Sequence, residues 1–121
     1  MASVLVVDDS RTSRKILRGI FEEAGFLVIG EACDGDEAVE MYKKLKPDAV
    51  SMDITMPGKN GMDALQEIKS LDENAKVIMV TSINQKSKMT EAVKIGATDF
   101  VTKPFQSDHV IEVFQKATAS S

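Results

Sequence analysis

The chain has 121 residues, a formal net charge of −4, 43% hydrophobic and 28% charged residues, and one cysteine. That length suits one compact domain, and the composition supplies one apolar core. The charge disfavours indiscriminate binding to nucleic acid or to an anionic membrane, and a single cysteine allows no internal disulfide.

No apolar stretch approaches the roughly 18 residues of a membrane span, and the N-terminus lacks the basic region of a signal peptide. The expectation is a cytoplasmic monomer with one domain over 1–121, making no nucleic-acid or membrane contact. Val4–Val7 is a β-branched run that predicts a strand buried on both faces. Ile16, Leu17, Ile20, Phe21 and Ala24 then recur at helical spacing before Gly25. "FLVIGEA" (26–32) predicts the second strand. Ala38, Met41, Tyr42 and Leu45 stripe the second helix, which closes at Lys46-Pro47. "DAVSMD" (48–53) predicts the third strand, and "MPGKNG" (56–61) is turn chemistry. Met62, Leu65, Ile68 and Leu71 mark the third helix, and "KVIMVT" (76–81) the fourth strand. The polar "INQKSK" (83–88) leads into a short helix with Met89, Ala92 and Val93, stopped at Gly96. "DFVT" (99–102) is the fifth strand, and Val110, Val113, Phe114 and Ala117 stripe the last helix.

Alternating strands and helices predict an α/β fold, a doubly wound five-stranded parallel sheet with helices on both faces. Such sheets bind ligands beyond the carboxyl ends of their strands. Asp8 and Asp9 follow the first strand, Asp53 ends the third, Thr81 ends the fourth, and Lys103 follows the fifth. Whatever the strand order, all five reach one edge. Clustered carboxylates favour a bound cation or a raised pKa, and an all-oxygen donor set suits Mg²⁺. Asp53 is the candidate nucleophile toward a phosphoryl group, with Asp8 and Asp9 as the metal pair. Lys103 would neutralise phosphoryl charge, and Thr81 would hydrogen-bond a phosphoryl oxygen.

The ordered set "VVDD", "MDITMPGKNG", "VTS" and "FVTKPF" resembles the receiver domain of bacterial two-component response regulators, over Val4 to about Ala117. The likeness is nearest to the free-standing chemotaxis members. It implies the flavodoxin-like strand order 2-1-3-4-5. It implies that Asp53 accepts a phosphoryl group from a sensor histidine kinase of the CheA type. Mg²⁺ would be held by Asp8 and Asp9, one directly and one through water, with Asp53 and the Thr55 carbonyl. Thr81 would then move onto the phosphoryl oxygen, and Phe100 would be the aromatic that changes rotamer with it. Lys103 would pair with Asp53, Lys103-Pro104 would be cis, and Ser82 would be the small residue that lets the phosphoryl group in. The output partner implied is a flagellar motor switch protein or another effector, with a phosphatase as a further partner. It would be met by residues 83–96, the fifth strand and the last helix, the first of these being a mobile element. Thr55 and Ile83 occupy positions that tune dephosphorylation in the family, and Phe100 stands where many members have Tyr.

Plainer readings compete with each role. Asp8-Asp9-Ser10 could cap the first helix, Asp53 could be a turn residue, and Thr81 an ordinary strand end. Lys103 could be a solvated lysine, and Phe100 core packing. His109 is expected to be solvated, Cys33 to be buried or half-buried without redox work, and Met52, Met56 and Met79 to be core filler. Other functions are weighed on the same residues. An Mg²⁺-dependent phosphatase with an aspartate nucleophile would place an acid two residues later, where this chain has Thr55. Flavin mononucleotide binding would need a hydroxyl-rich first loop, and Asp8 and Asp9 repel its phosphate. A receiver cut from a larger regulator, such as a transcription factor, is the remaining alternative.

Overall fold

A computed structural model describes residues 2–82 and 86–119. Strands and helices alternate through it: β1 (Ser3–Val7), α1 (Arg11–Glu23), β2 (Leu27–Ala32), α2 (Gly35–Leu45), β3 (Ala49–Asp53), α3 (Gly61–Leu71), β4 (Val77–Thr81), α4 (Lys86–Ile95), β5 (Asp99–Thr102) and α5 (Ser107–Thr118). The strands form one sheet in the order β2-β1-β3-β4-β5, with every neighbouring pair parallel. This is the flavodoxin-like order expected. β1 stands where the order reverses, with β2 on one side and β3 on the other.

Alternate side chains of a strand face opposite ways, so each inner strand feeds two cores. Val4 and Val6 join Leu17, Phe21, Val110 and Phe114 beneath α1 and α5. Leu5 and Val7 join Tyr42, Leu65, Ile68 and Ala92 beneath α2, α3 and α4. Burial on both faces is why β1 and β4 read as unbroken apolar runs. Three helices start on side-chain caps: Ser10, Asp34 and Asn60 accept from the backbone N–H of Ser13, Glu37 and Asp63. Of the trio Asp8-Asp9-Ser10, the helix therefore uses Ser10 for its cap.

Several expectations need correction. Ile16, Leu45, Leu71 and Val93 lie on the expected helical stripes, yet all four are exposed, Val93 at 59%. Helical spacing defines a stripe, but the stripe is wider than the surface a neighbouring layer can cover. Phe26 precedes β2 instead of opening it, and its ring packs edge-on against Phe21 at 5.7 Å. Lys86 and Lys88 belong to α4, which buries only Ala92. Cys33 is exposed, neither buried nor half-buried. It lies in the turn between β2 and α2, where its N–H donates to Glu37 Oε1, and the charge of Glu37 pushes its thiol up. His109 is exposed as expected, while Met52, Met56 and Met79 are buried in the core. Ile83 lies outside the described residues, as does the start of the segment expected to be mobile.

Candidate functional site

β1 and β3 are neighbours, so the residues that end them meet. Asp8 follows β1, and its N–H continues the ladder to the Ala32 carbonyl at 3.0 Å. Asp53 closes β3 opposite Val80. Carboxylate oxygens of Asp8, Asp9 and Asp53 lie within 4.8 Å of one another. Asp8 is fully buried, Asp53 is 7% exposed, and Asp9 faces solvent. Lys103 arrives from the far side of the sheet. Its N–H donates to the Thr81 carbonyl at 2.8 Å, and the peptide bond to Pro104 is cis. Its Nζ lies 3.0 Å from Asp8 Oδ2 and 3.6 Å from Asp53 Oδ2.

Local hydrogen bonds set the carboxylates. Ser10 N–H donates to Asp8 Oδ1 at 2.8 Å, and Thr55 N–H to Asp53 Oδ1 at 3.4 Å. Asp8 Oδ2 is buried and, among the described residues, has no hydrogen bond of good alignment; it meets Lys103 Nζ as an ion pair. Burial, and then the charge of Asp8, push the Asp53 carboxyl up, against the pull of Lys103 and the Thr55 N–H. Burial pulls the Lys103 ammonium down, but Asp8 and Asp53 outweigh it and hold Lys103 above its ordinary value.

A cleft of about 310 Å³ opens over these groups, lined by Asp9, Asp53, Thr55, Ser82 and Lys103. A larger one of about 510 Å³ lies at the opposite edge of the sheet, around Tyr42, Asp48, Asp72 and Lys76. Size does not decide between them; among the described residues, the three-acid cluster lies only at the first. Thr81 is buried beneath the rim, and its Oγ1 has no hydrogen-bond partner among the described residues. Phe100 is half-buried against the core under α2, α3 and α4, and Pro104 is exposed. So Asp8, Asp9, Asp53 and Lys103 converge, with Thr55 and Ser82 at the mouth, Thr81 below and Phe100 to one side.

The donor set fits a hard divalent cation. It is all oxygen, one ammonium stands against three carboxylates, and a buried carboxylate oxygen lacks an aligned donor. Two supports were not anticipated from sequence. Arg14 Nη1 donates to the Asp8 main-chain carbonyl at 2.7 Å. Gly61 stands directly against the Asp53 carbonyl, and its N–H donates to the Ile54 carbonyl at 2.9 Å. The visible signals were a cation in the first turns of α1, where the helix dipole disfavours one, and a glycine at the start of α3.

An acid cluster with an apposed lysine thus stands at the switch point of a 2-1-3-4-5 sheet. The chain belongs to the response regulator receiver domain family, whose description matches residues 4–115. It is a phosphorylation-controlled switch of two-component signalling, homologous to chemotaxis protein CheY. It is 50% identical over 116 residues to protein CcdB of Bacillus subtilis, covering 96% of this chain and 97% of that one. It is 50% identical over 115 residues to chemotaxis protein CheY of Thermotoga maritima, covering 95% and 96%. Among solved structures, a chain of the CheX–CheY–BeF3–Mg complex from Borrelia burgdorferi superposes with a TM-score of 0.91 at 37% identity, covering 95% and 87%. Among the described residues no helix is long and apolar enough to cross a membrane.

Proposed function

We propose that this receiver takes a phosphoryl group onto Asp53 from the phosphohistidine of a chemotaxis-type histidine kinase and then binds a flagellar motor switch or another output protein. The observation that carries the reading is the convergence of Asp9, Asp53 and Lys103 in one cleft with Asp8 buried against them. The names of its CheY relatives favour chemotaxis over other pathways.

In the transfer, an Asp53 carboxylate oxygen attacks phosphorus, the phosphorus–nitrogen bond to the donor breaks, and the imidazole leaves with the electron pair and takes up a proton. Asp8, Asp9, Asp53 and the Thr55 carbonyl would hold Mg²⁺. When bound, Mg²⁺ neutralises charge on the phosphoryl oxygens and orients them. Lys103, already between Asp8 and Asp53, supplies a second positive charge to those oxygens. Ser82, at the cleft mouth, is small enough to admit the incoming group. The Thr81 hydroxyl swings onto a phosphoryl oxygen, and Phe100 packs inward behind it. Phosphorylation thereby favours one of two pre-existing states of the face formed by α4, β5 and α5. Water on the phosphoryl group resets the switch, aided by a phosphatase, at a rate set in part by Thr55. The protein catalyses no reaction beyond its own phosphorylation and dephosphorylation.

Incubation with Mg²⁺ and acetyl phosphate tests this by intact mass. The parent is expected to gain one phosphoryl group, and Asp53→Asn none. An Asp53→Asn protein that labels as well as the parent would remove Asp53 from the role.

A further inference from the structure

The Arg14 side chain is only 17% exposed and is held at two points. Nη1 donates to the Asp8 carbonyl at 2.7 Å, and Nε to Glu31 Oε1 at 3.1 Å. Glu31, at the edge strand β2, is in turn held by Arg18 Nε through Oε2 at 2.7 Å. Arg14 is thus braced before it reaches the acid loop.

The carbonyl it reaches matters. β1 ends at Val7, so the Asp8 carbonyl lies past the strand on a fully buried residue. The other Asp8 contacts fix different atoms: the N–H by Ala32, Oδ1 by Ser10, and Oδ2 by the charge of Lys103. None of them fixes the plane of the Asp8–Asp9 peptide from its carbonyl side. A peptide is rigid, so turning that plane swings the Asp9 backbone and moves its carboxylate while the Asp8 side chain stays in place. The position of Arg14 is also unfavourable for the helix alone. α1 has no acid in its first turn, and a cation near a helix N-terminus opposes the dipole.

We infer that Arg14 is a positioning residue for the acid cluster, whose guanidinium clamps the Asp8–Asp9 peptide and so aims Asp9 at the site shared by Asp8 and Asp53. This rests on the proposed role of that cluster as a cation site. Arg14 touches no reacting atom; it acts through Asp9, as outer partners orient metal ligands elsewhere.

Three variants test the assignment: Arg14→Met, Arg14→Lys, and Arg18→Met, which removes the neighbouring arm on Glu31 but leaves the Asp8 carbonyl contact. Backbone amide exchange of residues 8–10 is read on the metal-free proteins, and calorimetric titration with Mg²⁺ alone follows. Arg14→Met is expected to speed exchange at Asp9 and Ser10 and to weaken Mg²⁺ binding about tenfold or more. Arg14→Lys keeps a donor within reach of the carbonyl and should recover part of both. Arg18→Met should leave both at parent values. Parent-like exchange and affinity in Arg14→Met overturn the inference, as does an equal loss in Arg18→Met, which would mark a general loosening of α1. Thermal unfolding of each variant confirms that folded protein is compared. A parent that binds no Mg²⁺ while Asp9 exchange still responds to Arg14→Met would instead sink the cation reading and leave the clamp standing.

Discussion

Three buried oxygens lack an aligned hydrogen bond among the described residues: Asp8 Oδ2, Thr81 Oγ1 and Ser51 Oγ. An unsatisfied buried polar group costs about 1–3 kcal/mol; Asp8 Oδ2 is compensated by the Lys103 ammonium at 3.0 Å, so of the two oxygens near the acid cleft it is Thr81 Oγ1 that a ligand atom would relieve. Ser51 lies two residues before Asp53 on the same strand face. Far from the cleft, the buried Tyr42 hydroxyl is satisfied. Tyr42 is 6% exposed, and its hydroxyl donates to Asp72 Oδ2 at 2.9 Å. Burial, and then the bond to Asp72, raise its phenol from 10 to about 12. The neutral phenol is the form favoured by folding. Its contribution to stability is therefore whole below pH 10 and is lost as the pH climbs through about 12. With one tyrosine and no tryptophan in the chain, ultraviolet titration isolates this group. The folded protein should ionise it well above the midpoint seen in urea, and coincident midpoints would contradict the buried bond. Tyr42→Phe is expected to lower unfolding stability by about 1 kcal/mol. At this scale the sequence shows which residues carry charge at the right edge, because strand ends announce themselves. The contact of Arg14 with the acid loop was not legible, since it is made to a main-chain carbonyl and no side-chain pattern encodes one. The exposure of Cys33 was hidden for a similar reason: a small thiol after a strand reads as core until the turn is placed.

Between elements, the loops after β1 and β3 do the positioning. Asn60 caps α3, and Gly61 follows it against the Asp53 carbonyl. A Cβ at Gly61 would overlap that carbonyl, which is backbone and has no rotamer to yield. Gly61→Ala should displace either α3 or the Asp53 peptide, at about 1–3 kcal/mol of unfolding free energy in a urea titration. An unchanged midpoint would mean that the loop gives way freely. Helix identity was legible throughout from the 3.6-residue stripes. The limits of each stripe were not, and Ile16, Leu45, Leu71 and Val93 show why. A helix against a twisted sheet is covered along its middle and left open along its margins, and margin positions share the spacing of the core. α4 illustrates the extreme: its only fully buried residue is Ala92, so its apolar signal was short.

Across the whole molecule, one topological fact organises the rest. Placing β1 between β2 and β3 brings the ends of the first and third strands together, and four separate loops then deliver Asp8, Asp9, Asp53, Thr55, Ser82 and Lys103 to one rim. The alternation of strands and helices made a parallel α/β sheet legible. Strand order came only through resemblance, because adjacency in a parallel sheet leaves no mark in local periodicity. The cluster was legible because all its members lie at strand ends, and that edge is shared in any order. The cleft itself was not, since its shape depends on how far Lys103 crosses from β5 to lie 3.6 Å from Asp53 Oδ2. The proposed function rests on one covalent event at one side chain, Asp53. Borohydride reduction converts an aspartyl phosphate, and not a free carboxylate, into a homoserine. The protein treated with Mg²⁺ and acetyl phosphate, reduced and sequenced by tandem mass spectrometry, should carry homoserine at position 53 and nowhere else. Homoserine at position 8 or 9 with Asp53 intact, or none at any aspartate, would contradict the account.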